Sequence, residues 1–102
     1  MTTMVVLVRL KEGVSRDAYE MWVTEKYAPV VKGLPSVGDW RNHRVTGLLG
    51  SDGEPPFRYV VTLEVADAGR LGADMSGPKM RRLIGELHRY AEVTQLVTER
   101  FV

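Results

Sequence analysis

The hydrophobic pattern at the start of the chain predicts a buried strand and then an amphipathic helix. Val, Leu and Met occupy nearly every position of residues 3–10, which is typical of a strand buried on both faces. Ser15 can cap the next element, in which apolar and aromatic residues recur at spacings of three and four. We predict a helix from Arg16 to about Ala28, bent or ended by Pro29 because proline has no amide hydrogen to donate.

The rest of the chain continues with strand-like and helix-like patterns, separated by loops rich in Gly and Pro. Strands are predicted at 37–47, 57–65 and 93–102, and helices at 68–75 and 78–90. The order β-α-β-β-α-β matches the split βαβ arrangement. We therefore predict an α+β, ferredoxin-like βαββαβ fold, with a four-stranded antiparallel sheet and helices packed on one side of it.

Length, charge and hydropathy limit the number of domains and the classes of partner that this protein can have. A chain of 102 residues is predicted to form a single domain over residues 1–102. Fourteen Lys and Arg against 13 Asp and Glu leave a formal charge of +1 without a basic stripe, which argues against nucleic acid as a partner. No apolar run approaches the roughly 18–20 residues that span a bilayer. We therefore expect no membrane partner, and we predict a cytoplasmic location.

The supply of metal ligands and nucleophiles is small. The chain has no Cys and two His, His43 and His88, which argues against disulfides, thiolate chemistry and a protein-built metal site. The glycines at 47, 50 and 53 precede prolines rather than a helix, so they do not predict a phosphate-binding loop. We expect neither a metal nor another cofactor.

The predicted sheet raises the question of what covers its second face. Helices on one side cover only one face, whereas the first and third strands carry apolar residues on both. Large apolar patches on soluble proteins usually mark interaction sites. We therefore predict a two-fold homodimer joined through the uncovered sheet faces.

Six segments, taken in order, carry a family resemblance over nearly the whole chain: MVVLVRLKEGVSRDAYEMW, EKYAPVV, LPSV, HRVTGLLG, PPFRYV and VTERFV. Through them the chain resembles the dimeric α+β barrel proteins. Within that superfamily it looks most like the RedY/HapK-like group, and the EthD-like proteins are broader relatives.

The resemblance implies a protein of prodigiosin-type or other pyrrole and indole pigment pathways, without an evident organic cofactor. EthD-like relatives typically have a His in the motif that here reads Glu25–Pro29, and this sequence has Tyr27 at the matching position. This departure weakens any direct transfer of EthD-type or peroxidase-like chemistry to this chain. Relatives of this fold include oxygenases, haem-degrading enzymes and binding modules, so the fold does not select a reaction.

Two residues are candidates for proton transfer. His43 lies within a polar strand, and its imidazole can take up or release a proton near neutral pH. Asp39 or Arg41, on the same face of that strand, could orient the imidazole. The alternative is a surface or interface histidine. Tyr27 offers a hydroxyl just before Pro29 that could donate to a substrate carbonyl or imine; the alternative is a core tyrosine bonded to the backbone.

Aromatic residues and one arginine form the predicted substrate-binding set. Trp22 and Tyr19 share the aromatic face of the first helix and could stack on a flat heteroaromatic ligand, although such a stripe is more often simply core. The set is completed by Trp40, Arg41 and Tyr59, of which the two aromatic residues could equally fill a dimer interface. Alternation places Arg41 and His43 on one face of the second strand and Trp40, Asn42 and Arg44 on the other. Which face lines a pocket stays open.

Three functions follow as alternatives. The first is a small cofactor-independent enzyme that tailors a pyrrole- or indole-derived intermediate by acid/base chemistry, such as dehydration or cyclisation, with His43 and Tyr27 handling protons. The second is a metal-free monooxygenase of the same fold. The third is a non-catalytic carrier or chaperone that shields a reactive intermediate. In each case the expected partner is a small aromatic heterocycle.

Overall fold

The computed structural model of the protein describes residues 2–102, and its centre is one four-stranded sheet. The strands are β1 (Thr2–Leu10), β2 (Val37–Arg44), β3 (Tyr59–Val65) and β4 (Ala91–Glu99). They lie in the order β2-β3-β1-β4, and every neighbouring pair is antiparallel. The predicted α+β fold with a four-stranded antiparallel sheet is confirmed.

Helical segments fill two of the three connections between the strands, from β1 to β2 and from β3 to β4. The first contains α1 (Arg16–Trp22), a π-helical turn (Val23–Tyr27) and α2 (Ala28–Val31), and the second contains α3 (Ala68–Met75) and α4 (Pro78–Tyr90). Side chains cap two of them: the Ser15 hydroxyl accepts the amide hydrogen of Ala18, and Asp67 accepts that of Arg70. Such caps satisfy amides that the helix leaves without partners.

The first helical segment does not end at Ala28 as predicted; it continues through Pro29 to Val31. Proline removes one helical donor and clashes with the preceding turn. Here the turn before it is widened, because the amide of Ala28 donates to the carbonyl of Val23, five residues earlier. The wider π turn accommodates the proline ring, so the helix continues past Pro29.

The limits of three predicted strands also differ from the structure. β2 ends at Arg44 instead of residue 47, β3 begins at Tyr59 instead of 57, and β4 covers Ala91–Glu99 instead of 93–102. In β2 a register irregularity between Val37 and Trp40 turns both side chains toward the core, although they stand three positions apart. Bulges of this kind re-aim side chains within a strand.

The hydrophobic core lies between the helices and one face of the sheet. Burial alternates strictly along β3, where Tyr59, Val61, Leu63 and Val65 are buried and the residues between them are partly exposed. From the helices, the core takes up buried side chains that include Tyr19, Trp22, Met80, Leu83 and Leu87. The other sheet face has no helix of residues 2–102 over it. None of the helices within residues 2–102 is both long enough and apolar enough to cross a membrane.

Candidate functional site

A cavity of about 290 Å³ lies between the sheet and the helices, and we call it the inner chamber. Its wall is mostly apolar, and four aromatic side chains contribute to it: Tyr19, Trp22, Tyr27 and Trp40. The floor is formed by strand residues such as Met4, Val6 and Val61. Its volume is at the lower end of the roughly 300–1,000 Å³ found for small-molecule pockets. The inner chamber therefore has room for one small ring system.

Local structure explains why the aromatic side chains converge there. Tyr19, Trp22 and Val23 lie on one face of α1 and its extension. The π turn then brings Tyr27 to the same side, with its ring centroid 5.4 Å from that of Trp22 and 6.3 Å from that of Trp40. Because alternate side chains of a strand share one face, Trp40 and Asn42 of β2 both point toward the helices.

The hydroxyl groups of Tyr19 and Tyr27 are the acidic groups of the inner chamber. Burial raises the pKa of both, and for Tyr19 the nearby Tyr27 and Tyr59 raise it further. No hydrogen bond holds either hydroxyl to another group of residues 2–102. Both groups therefore stay protonated at neutral pH and can donate a hydrogen bond to a ligand, but they are poor bases.

An outer pocket of about 280 Å³ adjoins the inner chamber and is far more polar. The two share Tyr19, Val23 and Asn42 in their walls. In the outer pocket Glu20 forms an ion pair with Arg44 and accepts a hydrogen bond from the Tyr59 hydroxyl at 2.8 Å. These contacts lower the pKa of Glu20 to about 2, so its carboxylate is ionised at neutral pH and is a weak proton acceptor.

A third, shallow depression, which we call the side pocket, lies beside Pro29, Lys32 and Trp40. Arg41 and Asn42 also line it. The Arg41 guanidinium is well exposed and pairs with the Asp39 carboxylate at 2.8 Å. Arg41 is thus available to the outside of the site rather than to the inner chamber.

The two histidines lie away from the inner chamber. His43 is exposed on the sheet face opposite the helices, where its Nδ1 lies 3.3 Å from the carbonyl oxygen of Val60. His88 is exposed near the end of α4. His43 could therefore act directly only on a ligand bound at the opposite sheet face, and its catalytic role stays a prediction.

The structure thus divides the predicted site residues among four places. The inner chamber brings together Tyr19, Trp22, Tyr27 and Trp40. Tyr59 lines the outer pocket, Arg41 lines the side pocket, and His43 lies on the opposite face of the sheet. Sequence reasoning placed no role on Asn42, which lines all three cavities. Its position two residues after Trp40 in an alternating strand was the signal that it shares the face of that tryptophan. Within the described range 2–102, no group of three or more His, Cys, Asp or Glu is placed to hold a metal ion.

Sequence comparison assigns the family. The family described as "REDY-like protein HapK" matches residues 2–101. The chain belongs to the HapK family. This membership confirms the resemblance to the RedY/HapK-like group. No protein of curated function is significantly similar to this HapK-family chain in sequence.

Solved structures share the fold over nearly the whole chain. HapK from Hahella chejuensis matches with a TM-score of 0.80 and 29% identity, over 99% of this chain and 93% of that one. An EthD-family protein from Bacillus halodurans matches with a TM-score of 0.75 and 17% identity, over 99% of this chain and 100% of that one. SnoaB from Streptomyces nogalater, a cofactor-independent oxygenase, matches with a TM-score of 0.73 and 11% identity. The match covers 97% of this chain and 91% of that one. At such low identities the last two matches show a common fold alone.

Proposed function

We propose that this protein is a small tailoring enzyme of secondary metabolism that works without a cofactor on a flat pyrrole- or indole-derived intermediate. The observation that carries the proposal is the aromatic inner chamber itself. Four aromatic side chains and an apolar floor enclose a space suited to one flat ring system. Membership of the HapK family supports the choice of a small aromatic heterocycle as the ligand.

Tyr27 is the residue that we propose for acid/base chemistry in the inner chamber. Its hydroxyl is protonated at neutral pH and makes no hydrogen bond within residues 2–102. Directed at a carbonyl or imine of the ligand, it would stabilise the negative charge that develops there during dehydration or cyclisation. The low dielectric of an apolar chamber strengthens a hydrogen bond between the Tyr27 hydroxyl and the ligand.

The test combines binding and turnover in the same samples. Trp22 and Trp40 both line the inner chamber, so a pyrrole derivative bound there should quench tryptophan fluorescence in a saturable way. For indole derivatives, whose own fluorescence overlaps that of tryptophan, calorimetry replaces this signal. Mass spectrometry of each sample then detects conversion. Binding with a new product supports the enzyme, whereas the absence of binding across both ligand classes contradicts the proposal.

A carrier that shields a reactive intermediate is the second candidate function. The titratable groups that line the inner chamber favour this function. Within residues 2–102 these groups are tyrosines, and burial raises their pKa values. No histidine or carboxylate of the described chain lines that cavity. Saturable binding without conversion would support the carrier. Product formation coupled to oxygen uptake would instead support the metal-free monooxygenase.

We further propose a homodimer formed through the uncovered sheet face. Apolar side chains meet at its centre, where Leu7 of β1 lies opposite Val60 of β3, and Val5 lies opposite Leu96 of β4. Leu96 remains 43% exposed. A second copy of the same face would remove these side chains from water, and a two-fold axis makes the patch self-complementary.

A charge at the centre of that face should prevent the pairing. We expect the wild-type protein to have twice the chain mass of 11.5 kDa by light scattering at micromolar concentration, and Val60→Glu to have the single-chain mass. The reason is that pairing would bury an unpartnered carboxylate in each copy. Met21→Glu, on the exposed side of α1, is the matched control and should stay dimeric. A wild-type protein with the single-chain mass would contradict the proposed dimer.

A further inference from the structure

Asn42 is the polar residue of the two, Val23 and Asn42, that line all three cavities of the candidate site. It lies in the middle of β2, opposite Val61 of β3, with its side chain on the helix-facing side of the sheet. The inner chamber, the outer pocket and the side pocket all include it in their walls. Asn42 therefore lies where the inner chamber adjoins both neighbouring cavities.

The amide oxygen of Asn42 has no hydrogen-bond partner among residues 2–102. This Oδ1 atom is buried and accepts no hydrogen bond from any group of residues 2–102. Buried polar groups are nearly always hydrogen-bonded, and an unpaired one destabilises the fold. Because this oxygen has no hydrogen bond to break within residues 2–102, rotation about the Cβ–Cγ bond can turn it toward the cavities. An unpaired buried group at a junction of cavities indicates a partner from outside the chain.

The other polar groups nearby are suited to different tasks. The carboxylate of Glu20 is held by Arg44 and Tyr59, and the indole nitrogen of Trp22 donates to Glu86 at 3.1 Å. The Tyr19 and Tyr27 hydroxyls are protonated donors for ligand oxygen or imine nitrogen. The Asn42 oxygen is thus a buried acceptor at the junction to which no donor of residues 2–102 is bonded.

The geometry points to Asn42 as the residue that selects ligands with a ring N–H, by accepting that hydrogen in its amide oxygen. This inference rests on the proposed function, because it takes the inner chamber as the ligand site. A site built to accept an N–H rejects an analogue that lacks it, since the buried acceptor is then left unpaired. Apolar contacts alone discriminate weakly between flat rings of the same size.

Indole and benzothiophene are the probes that isolate this hydrogen bond. They are both flat bicyclic rings of similar size, and sulfur replaces the N–H in the second. We expect wild-type protein to bind indole about tenfold more tightly than benzothiophene, a ratio typical of one hydrogen bond that is left unmade. Titrations followed by ¹⁵N–¹H NMR spectra give both dissociation constants, and at saturation the side-chain amide signals of Asn42 should shift further with indole than with benzothiophene.

Two leucine variants complete the experiment. Asn42→Leu keeps the size of the side chain and removes the acceptor, so indole should lose its preference and bind within about twofold of benzothiophene. Gln95→Leu is the matched control, because Gln95 also lines the inner chamber with an amide, from β4. It should retain the tenfold preference for indole. Backbone NMR signals of each variant report whether the fold is kept.

The possible failures of the two proposals can be told apart. Equal affinity of the wild-type protein for the two probes would overturn the role of Asn42 while leaving the inner chamber as the binding site. The role of Asn42 is also overturned if Gln95→Leu, rather than Asn42→Leu, abolishes the preference. Binding of neither probe would overturn the inner chamber as a heterocycle site, and the role of Asn42 with it. The wild-type comparison decides the matter even if Asn42→Leu does not fold.

Discussion

Replacing Tyr27 with phenylalanine should lower turnover of the heterocyclic ligand about 100-fold and change its dissociation constant by less than about threefold. The ring, which packs against Trp22 and Trp40, stays in place, and only the hydroxyl is lost. A donor that acts mainly on the charge developing in the transition state affects the rate more than ground-state binding. The measurement is turnover by mass spectrometry, with the dissociation constant taken from the binding titration.

Tyr90→Phe and His43→Ala are the controls for this prediction. Tyr90 packs against Trp22 with ring centroids 5.2 Å apart, but it does not line the inner chamber. His43 lies on the opposite face of the sheet. We expect turnover within about threefold of wild type for both, because neither side chain reaches the inner chamber. A loss of less than tenfold for Tyr27→Phe, or a large loss for His43→Ala, would contradict the assignment of proton chemistry to Tyr27.

Replacing Trp22 with alanine should lower the free energy of unfolding by about 3–5 kcal/mol, the usual range for removing a large buried aromatic side chain. Trp22 is only 8% exposed and packs against the rings of Tyr19, Tyr27 and Tyr90. The change also removes the hydrogen bond from its indole nitrogen to Glu86. Domains of this size have total stabilities of about 5–15 kcal/mol, so the loss would be a large share of the whole.

Urea unfolding followed by far-UV circular dichroism measures this effect. The neighbouring Met21 is 61% exposed, so Met21→Ala is the control on the same helix and should change the free energy of unfolding by less than about 0.5 kcal/mol. If Trp22→Ala is unfolded in the absence of urea, Trp22→Phe gives the smaller, measurable loss. Equal stability of the wild type and Trp22→Ala would show that the inner chamber does not depend on this side chain for its walls.

Most secondary structure could be predicted from the sequence because its signals act over a few residues. Ser15 and Asp67 cap helices through amides only three positions further along the chain. Pro78 begins α4, since its ring suits the first helical turn, where no amide donor is needed. Pro29 left open whether the helix bends or ends there, and the expected end near Ala28 was wrong. Whether a proline ends a helix or widens it depends on the packing of the residues beyond it, and no short-range pattern contains that information.

The aromatic residues of the inner chamber could also be named from the sequence, since helical spacing places Tyr19 and Trp22 on one face. Strand alternation likewise separated Trp40 and Asn42 from Arg41 and His43. Alternation does not reveal which of the two faces the helices cover. That choice places Asn42 at the site and His43 outside it.

By itself, the sequence determined the elements, their order and the family, because periodicity, caps and motifs are written within short stretches of chain. The tertiary structure alone decided where the inner chamber lies and which polar groups are left without partners around it. A cavity is the space that packed elements fail to fill, and an unpaired buried acceptor such as Asn42 exists only once every neighbour has its position. Both depend on contacts between residues distant in the chain.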